Sequence, residues 1–555
     1  MSDGLTVPEN FQLANLWEAV VDRVGDRECL VCDDVRLSYA QLDERANRLA
    51  NQLHSLGVGE GDFVGCYLTN GTPYIEAILA CFKIRAVPVN INYRYVADEL
   101  RYLLADAGVV VVVTEEQFAD RLAEVASVVD PLRHALVVGG SAAGLAVLSG
   151  AGVTAEDYEE AIAASLAERP VRPERSNDDL YVLYTGGTTG MPKGVVWRHE
   201  DVFFGCLTGG DPMRLQGPVT TPGELMDRII EFDFTFYALA PLMHAAAQWV
   251  SLLWFMCGAR VVLHTGRFDP VEIWRTVERE QVSTLTVVGD AMARPLLDAW
   301  NEHGPFDTSS LFAFANGGAP MALTTRTGLQ ELMPNVAFTD GFGSSETGIQ
   351  GSQRLEPGQA VGTAVRFDNV AAGTRVLDEG GQPVEPGSGV IGRVATSGRI
   401  PLRYHNAPEK TAEAFVEIDG VRYVVSGDMA TVEADGSIVL LGRGSVSINT
   451  GGEKVFPEEV EGVLKTHPAV YDAVVVGVAD DRWGQRVAAV VQAVDPESPP
   501  TLDDLREVCH EHLAGYKAPR QLVVVDTIER SPAGKADYRW AKSVAEAATA
   551  DGSAD

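Results

Sequence analysis

Apolar positions in residues 37–56 recur at helical spacing, as Leu42, Ala46, Leu49 and Leu53, behind Ser38, which is suited to cap a helix. Glycines at 57–61 break the helix, and 63–68 reads as a short strand. Residues 72–82 predict a second helix, with Thr72 as its cap and Pro73 at the first helical position. Strand 86–90, helix 99–107 and strand 109–114 continue the alternation. Apolar strands alternating with amphipathic helices predict a parallel, doubly wound sheet covered on both faces.

The pattern changes further along. Residues 139–177 read as a surface connection with a helix or two, and 209–227, rich in Gly, Pro and Thr, as a long loop of the kind that often forms a lid or pocket wall. From 374 to 400 the short apolar runs and Gly-Gly turns predict antiparallel strands. A hairpin follows over 424–441, turning at Ala434-Asp435-Gly436. The organisation expected is a large α/β domain over 1–441 with a β-subdomain, a hinge at 442–446, a small mobile α+β domain over 447–547, and a disordered tail at 548–555.

Composition removes several classes. The 555 residues carry 44 Lys+Arg against 78 Asp+Glu, a formal charge of −34, which argues against nucleic acid or an anionic membrane as the main partner. An anionic ligand must then be held by local amides and a few cations. The 7 cysteines are scattered; Cys29 and Cys32 form one C-x-x-C, but in a segment that reads as a buried strand. The polar start shows no signal pattern, and the longest apolar run, 249–257, is too short for a membrane span. The expected location is the cytoplasm, and a homodimer is left open.

One run carries chemistry directly. Tyr184-Thr185-Gly186-Gly187-Thr188-Thr189-Gly190-Met191-Pro192-Lys193-Gly194 stands between two apolar strands. Close glycines let backbone N–H groups converge on phosphate oxygens, threonines add donors, and Lys193 adds a cation. A simple hairpin turn does not explain three Thr and a Lys in one loop, and the spacing is not that of a P-loop NTPase. The run resembles the phosphate loop of the adenylate-forming superfamily of acyl-CoA synthetases, peptide-synthetase adenylation domains and luciferases. Gly186 stands where most members have Ser.

The resemblance continues in order along nearly the whole chain. Asn316-Gly317-Gly318-Ala319-Pro320 is similar to the segment along adenine and the acyl group. Asp340-Gly341-Phe342-Gly343-Ser344-Ser345-Glu346-Thr347 resembles the family's Tyr-Gly-x-Thr-Glu run. It implies Phe342 stacked on adenine, Ser345 at the α-phosphate and Glu346 on Mg²⁺. Ser426-Gly427-Asp428 and Gly442-Arg443 resemble the motifs that hold the ribose. Gly451, Gly452, Glu453 and Lys454 resemble the face lining the coenzyme A tunnel. Lys535, in Ser531-Pro532-Ala533-Gly534-Lys535, resembles the lysine that bridges carboxylate and phosphate.

What this implies is ATP-dependent activation of a small-molecule carboxylic acid as its adenylate, with Mg²⁺, followed by transfer to coenzyme A as the small domain swings about the hinge. The hinge position is Ser445, where the family usually has Asp or Lys. For the acid, 240–249 resembles the acyl-pocket motif, with His244 as gate and Ala245–Ala247 as small lining residues; Gly289 and Asp290 follow. Asp290 either binds a substrate hydroxyl or caps the next helix. The wording of 184–197, 287–295 and 441–461 is most similar to bacterial fatty-acyl and steroid-side-chain CoA ligases, favouring a long or bulky apolar acid. Two rivals stay open: an acyl-adenylate ligase loading a separate carrier protein, and a nucleotide-binding scaffold without catalysis.

Overall fold

A computed structural model describes residues 7–171, 174–185, 191–359, 366–450, 453–480, 483–530 and 534–550. The predicted alternation produces two large sheets. One has eight strands in the order Arg403–Tyr404, Lys193–Arg198, Leu180–Thr185, Val87–Asn90, Phe63–Tyr67, Val109–Glu115, His134–Val138 and Thr154–Asp157. Pairing is parallel from Leu180–Thr185 onward and antiparallel on the other side. The other large sheet has nine strands and runs from Asn369–Val370 to Val35–Ser38; its parallel centre includes Ala337–Ser344, Ala313–Gly317 and Thr284–Val287.

Helix Tyr39–Ser55 begins as predicted. Ser38 accepts from Gln41 N, Gln41 returns the bond to Ser38 N, and Leu42, Ala46, Leu49 and Leu53 are buried. The cap of Thr72–Lys83 differs from expectation: Gly71 occupies it, Thr72 is the first helical residue, and no side chain caps the turn. The connection at 139–177 holds helices Ala142–Gly150 and Tyr158–Ala164 as expected. It also holds Thr154–Asp157, an exposed or half-buried strand that adds to the sheet edge without a long apolar run.

One hydrophobic cluster joins the two large sheets. It takes Leu30 and Val261 from one, Val64 and Leu183 from the other, and helix residues such as Trp17, Leu49, Phe82 and Phe255 between them. Burial on both sides explains the mainly apolar strands. A six-stranded antiparallel sheet containing the predicted hairpin, Val421–Val432 with Ile438–Arg443, has its own cluster around Phe342, Phe367 and Val394.

Beyond Arg443 the chain passes through a 3₁₀ turn, Gly444–Val446, into a five-stranded sheet with helices Pro457–Leu464, Leu502–His512 and Tyr538–Ala550. Its clusters, around Val475 and Val490, contain residues 448–545 alone. Part of the expected disordered tail is helical: Tyr538–Ala550 covers residues 548–550, and 551–555 lie outside the described residues. The seven cysteines are buried and free, and burial pushes Cys32 up to about 11, so the C-x-x-C is core.

Candidate active site

The strands of the phosphate hairpin are in register, with Tyr184 opposite Gly194 and Thr185 opposite Lys193. The expected phosphate-binding residues Gly186, Gly187, Thr188, Thr189 and Gly190 lie outside the described residues, as do Gly451 and Gly452. Gly194 is required by space: a Cβ there would meet the Tyr184 ring at 2.9 Å and His405 Cβ at 3.1 Å. Lys193 Nζ stands 5.1 Å from the Tyr404 ring centre, and the Tyr404 hydroxyl donates to Glu346 Oε1 at 3.2 Å. A cation, a phenol and a carboxylate thus meet at the mouth of the hairpin.

Glu346 sits in the reversal between Ala337–Ser344 and Gly348–Leu355. The turn is held by Thr347: Ser344 N donates to Thr347 Oγ1 at 2.9 Å, and Thr347 N donates to Ser344 O at 3.2 Å. Trp197 Nε1 donates to Ser345 O at 2.9 Å, joining this turn to the phosphate hairpin. At Gly348, φ is +67° and a Cβ would lie 2.4 Å from Gly205 O, so only glycine closes the turn against that helix end.

Two expected nucleotide contacts are largely buried. Phe342 is 8% exposed, and its ring centre lies 4.4 Å from that of Phe367 in the core cluster of the antiparallel sheet. Asp340 is also buried. It accepts from Arg326 Nη2 at 2.6 Å, pairs with Arg326 Nη1, and accepts from Asn316 Nδ2 at 2.9 Å, so its carboxylate is spent inside the protein. Asn316 also accepts from Gly289 N at 2.8 Å. Gly317 lies opposite Gly341 in the parallel register, and neither glycine puts a side chain between the strands. Gly318 has φ +80°; Gly289, at φ +58°, approaches Ala319 so closely that a Cβ would meet it at 2.8 Å. Gly343 is as tight, with its would-be Cβ 2.0 Å from Gly348 O.

Asp428 and Arg443 face each other across the last hairpin, with Arg443 Nε 3.4 Å from Asp428 Oδ1. Lys535 lies near them, and the residue keeps an exposed surface. Burial and Arg443 lower its pKa, while Glu346, Asp428 and Glu458 pull the other way. Glu458 is raised, first by burial and then by Asp428. Residues far apart in sequence, Glu346, Asp428, Arg443 and Lys535, are therefore brought together. Ser445 lies in the 3₁₀ turn just beyond Arg443. Glu453 and Lys454 are exposed on the edge strand Glu453–Val455 of the C-terminal sheet.

His244 precedes helix Ala245–Met256. Its Nε2 is buried and has no partner among the described residues. Burial, then Lys535 and Arg94, bring its pKa down to about 4, so the ring is neutral near pH 7. Ala245 is half-buried and Ala246 exposed at the same helix start. Asp290 does not cap the next helix; Gly289 does, and Asp290 is the first residue of Asp290–His303. Its carboxylate takes Ala322 N at 3.0 Å and Lys465 Nζ at 3.2 Å.

Sequence reasoning missed Asn90. Its amide donates to Tyr184 O at 2.8 Å and Met243 O at 2.7 Å, and accepts from Tyr184 N at 2.7 Å. One side chain ties the phosphate hairpin to the segment before His244. The available signal was a polar residue ending the apolar strand Val87–Asn90. The 209–227 loop, too, is more ordered than its composition suggests: buried Asp211 accepts from Leu215, Gln216 and Gly217 N at 2.7–3.1 Å.

An adenylate-forming class is what this order of hairpin, acidic turn, ribose pair and distant lysine defines. The AMP-binding enzyme family matches residues 17–403, and the AMP-binding enzyme C-terminal domain matches 459–535; the chain belongs to this family. It is 45% identical over 540 residues to a 3-oxocholest-4-en-26-oate–CoA ligase of Rhodococcus rhodochrous, covering 96% of this chain and 95% of that protein. It is equally 45% identical to a medium/long-chain-fatty-acid–CoA/3-oxocholest-4-en-26-oate–CoA ligase of Mycobacterium marinum, covering 98% of both. The crystal structure of the anthranilate CoA ligase AuaEII with anthranoyl-AMP superposes with a TM-score of 0.83 at 23% identity, covering 98% of this chain and 99% of that one; it is similar in fold. No helix among the described residues is long and apolar enough to cross a membrane.

Proposed function

We propose that the protein is an ATP-dependent acyl-CoA synthetase that forms an acyl-adenylate with release of pyrophosphate, then an acyl-CoA, from a medium- to long-chain or bulky steroid-side-chain acid. The observation that carries the reading is the convergence of Lys535 with Glu346, Asp428 and Arg443 beside the phosphate hairpin. A carboxylate and a triphosphate repel each other, so the protein's task is to neutralise and align them. Lys535 and Lys193 supply positive charge on either side of the reacting centre. The neutral, unpartnered His244 Nε2 faces the acid, where it aligns the carboxylate without adding a charge to an apolar entrance.

Mg²⁺ fits this site in the usual manner of phosphate enzymes. Glu346 offers a carboxylate held by Tyr404, with the remaining ligands left to phosphate oxygens and water. No cluster of three or more His, Cys, Asp or Glu suited to a metal occurs among the described residues. Bound there, Mg²⁺ would neutralise charge on the departing pyrophosphate. Asp428 accepts the ribose hydroxyls, with Arg443 beside it. The hinge at 442–446 lets the C-terminal module exchange Lys535 for the face bearing Glu453 and Lys454.

The substrate class rests on the two relatives at 45% identity, whose names specify such acids, and on small side chains at Ala245 and Ala246. The test is acid-dependent pyrophosphate release over short, medium, long, aromatic and steroid-side-chain acids, with and without coenzyme A. Turnover confined to short or aromatic acids overturns the substrate class. Transfer to a phosphopantetheinyl carrier protein but not to coenzyme A would overturn the acceptor.

A further inference from the structure

Lys535 reaches the site from the C-terminal module, so something must seat that module against the large domain. Among the described residues no hydrophobic cluster does so: each consists of residues from one side of Arg443 only. Charged side chains cross instead. Lys465, at the end of helix Pro457–Leu464, places Nζ 3.2 Å from Asp290 Oδ2 of the large domain and 3.1 Å from Asp472 Oδ1 of its own module. The Lys465 and Asp290 side chains are 7% and 9% exposed. Asp472 in turn accepts from Arg530 Nη2 at 2.7 Å and Nε at 2.9 Å. Arg530 Nη1 donates to Gly534 O at 3.2 Å, and Gly534 is the residue before Lys535.

The chain of contacts closes on the same helix where it began. Gly534 has φ +73°, and a Cβ on it would stand 3.1 Å from Ala291 Cβ and 3.3 Å from Val288 O. Helix Asp290–His303 therefore meets the C-terminal module through Asp290 at Lys465 and Ala291 at Gly534. One turn later Arg294 meets it again, its guanidinium carbon 5.0 Å from the Tyr471 ring centre. A cleft of about 450 Å³ runs along this contact, lined on both sides by Arg294, Tyr471 and Arg530 among others.

We infer that Asp290, Lys465, Asp472 and Arg530 form a positioning relay that registers the Gly534–Lys535 backbone against the large domain for the adenylation half-reaction. This rests on the ligase reading above. The relay is balanced, two cations against two carboxylates, only while the domains are docked. Undocking leaves Asp290 with one negative charge and the module's trio with one positive charge, each free to regain water. Because desolvation of such ions nearly cancels their attraction, the contact selects one orientation without making it permanent. Burial works against the charge on Lys465, but Asp472 and Asp290 outweigh it and raise its pKa, so Lys465 stays charged near neutral pH.

Asp290→Asn removes the charge while keeping an oxygen for Ala322 N. In the full-length enzyme we expect acid-dependent ATP–pyrophosphate exchange to fall about tenfold in rate at saturating acid. Transfer from supplied acyl-adenylate to coenzyme A should hold or rise, the melting temperature should not move, and trypsin should cut faster at Arg443. Asp290→Glu should restore most of the exchange, and Asp290→Lys with Lys465→Glu should recover part of it. Equal loss of both half-reactions, or no change in either, overturns the relay. So does a change confined to KM for the acid, which would assign Asp290 to substrate. Failure of the ligase reading looks different: the unaltered enzyme then shows no exchange with any acid, and faster cleavage at Arg443 in Asp290→Asn still tests the docking.

Discussion

Two interfaces of the protein are made of opposite materials. The two big sheets meet through one apolar cluster containing Trp17, Leu30, Val64, Phe82, Leu183 and Phe255, all essentially buried. The C-terminal module meets the large domain through Asp290–Lys465, Arg294 over Tyr471 and the Gly534 backbone, with no shared apolar cluster. An interface of hydrocarbon is hard to reopen, since every side chain exposed costs about 1.5–3 kcal/mol. An interface of paired charges has water as a ready substitute. On the proposed domain motion, material would distinguish the joint that holds from the one that releases.

The sharpest way to break this contrast is to damage the permanent joint. Trp197 is fully buried, its ring centre 6.2 Å from that of Trp249, and its Nε1 holds the Ser345 turn. Trp197→Ala should cost about 3–5 kcal/mol by denaturant unfolding and lower both half-reactions together. Lys535→Ala comes next. It should lower acid-dependent pyrophosphate exchange about 10²–10³-fold, leave transfer from supplied acyl-adenylate intact, and leave unfolding unchanged.

A smaller effect tests whether the releasable module is stable in its own right. Burial pushes Glu461 up to about 7, and Lys465 and the Val475 amide only partly oppose this. A carboxyl whose folded pKa exceeds its unfolded value stabilises the fold most below about 4.5 and loses that advantage as pH rises through about 7. The C-terminal transition in calorimetry should fall by up to about 3 kcal/mol across that window. Glu461→Gln should flatten the fall, leaving the large domain's transition as it was. Smallest of all, Tyr404→Phe removes one hydrogen bond to Glu346 and should cost about 1 kcal/mol, a several-fold rise in the Mg²⁺ needed for half-maximal exchange.

Much of the fold was legible because its signals are local. Ser38 and the Leu42-Ala46-Leu49-Leu53 stripe specify one helix, and Ala434-Asp435-Gly436 specifies its hairpin, with Gly436 at φ +85°. The adenylate-forming class was legible in the motif order. Where local rules misled, tertiary contact had chosen otherwise. Asp290 is chemically fit to cap a helix, but Lys465, 175 residues away, claims it instead. Thr154–Asp157 pairs at a sheet edge, where one flank of neighbours suffices and no apolar run is needed. Asn90 left only a faint mark, since an amide that bonds to backbone atoms on two distant segments has no spacing rule.

That same Asn90 gives the enzyme a fixed datum. It grips Tyr184 on one side and the carbonyl of Met243 on the other, so the phosphate hairpin and the segment before His244, the proposed acid entrance, are tied together. The span from reacting phosphorus to carboxylate is then a gauge that no acid can stretch. On the proposed reading, variation in acid length would be absorbed behind the entrance, around Ala245 and Ala246. Tailoring such an enzyme to a new acid would mean recutting the back wall of the pocket while leaving its gauge untouched.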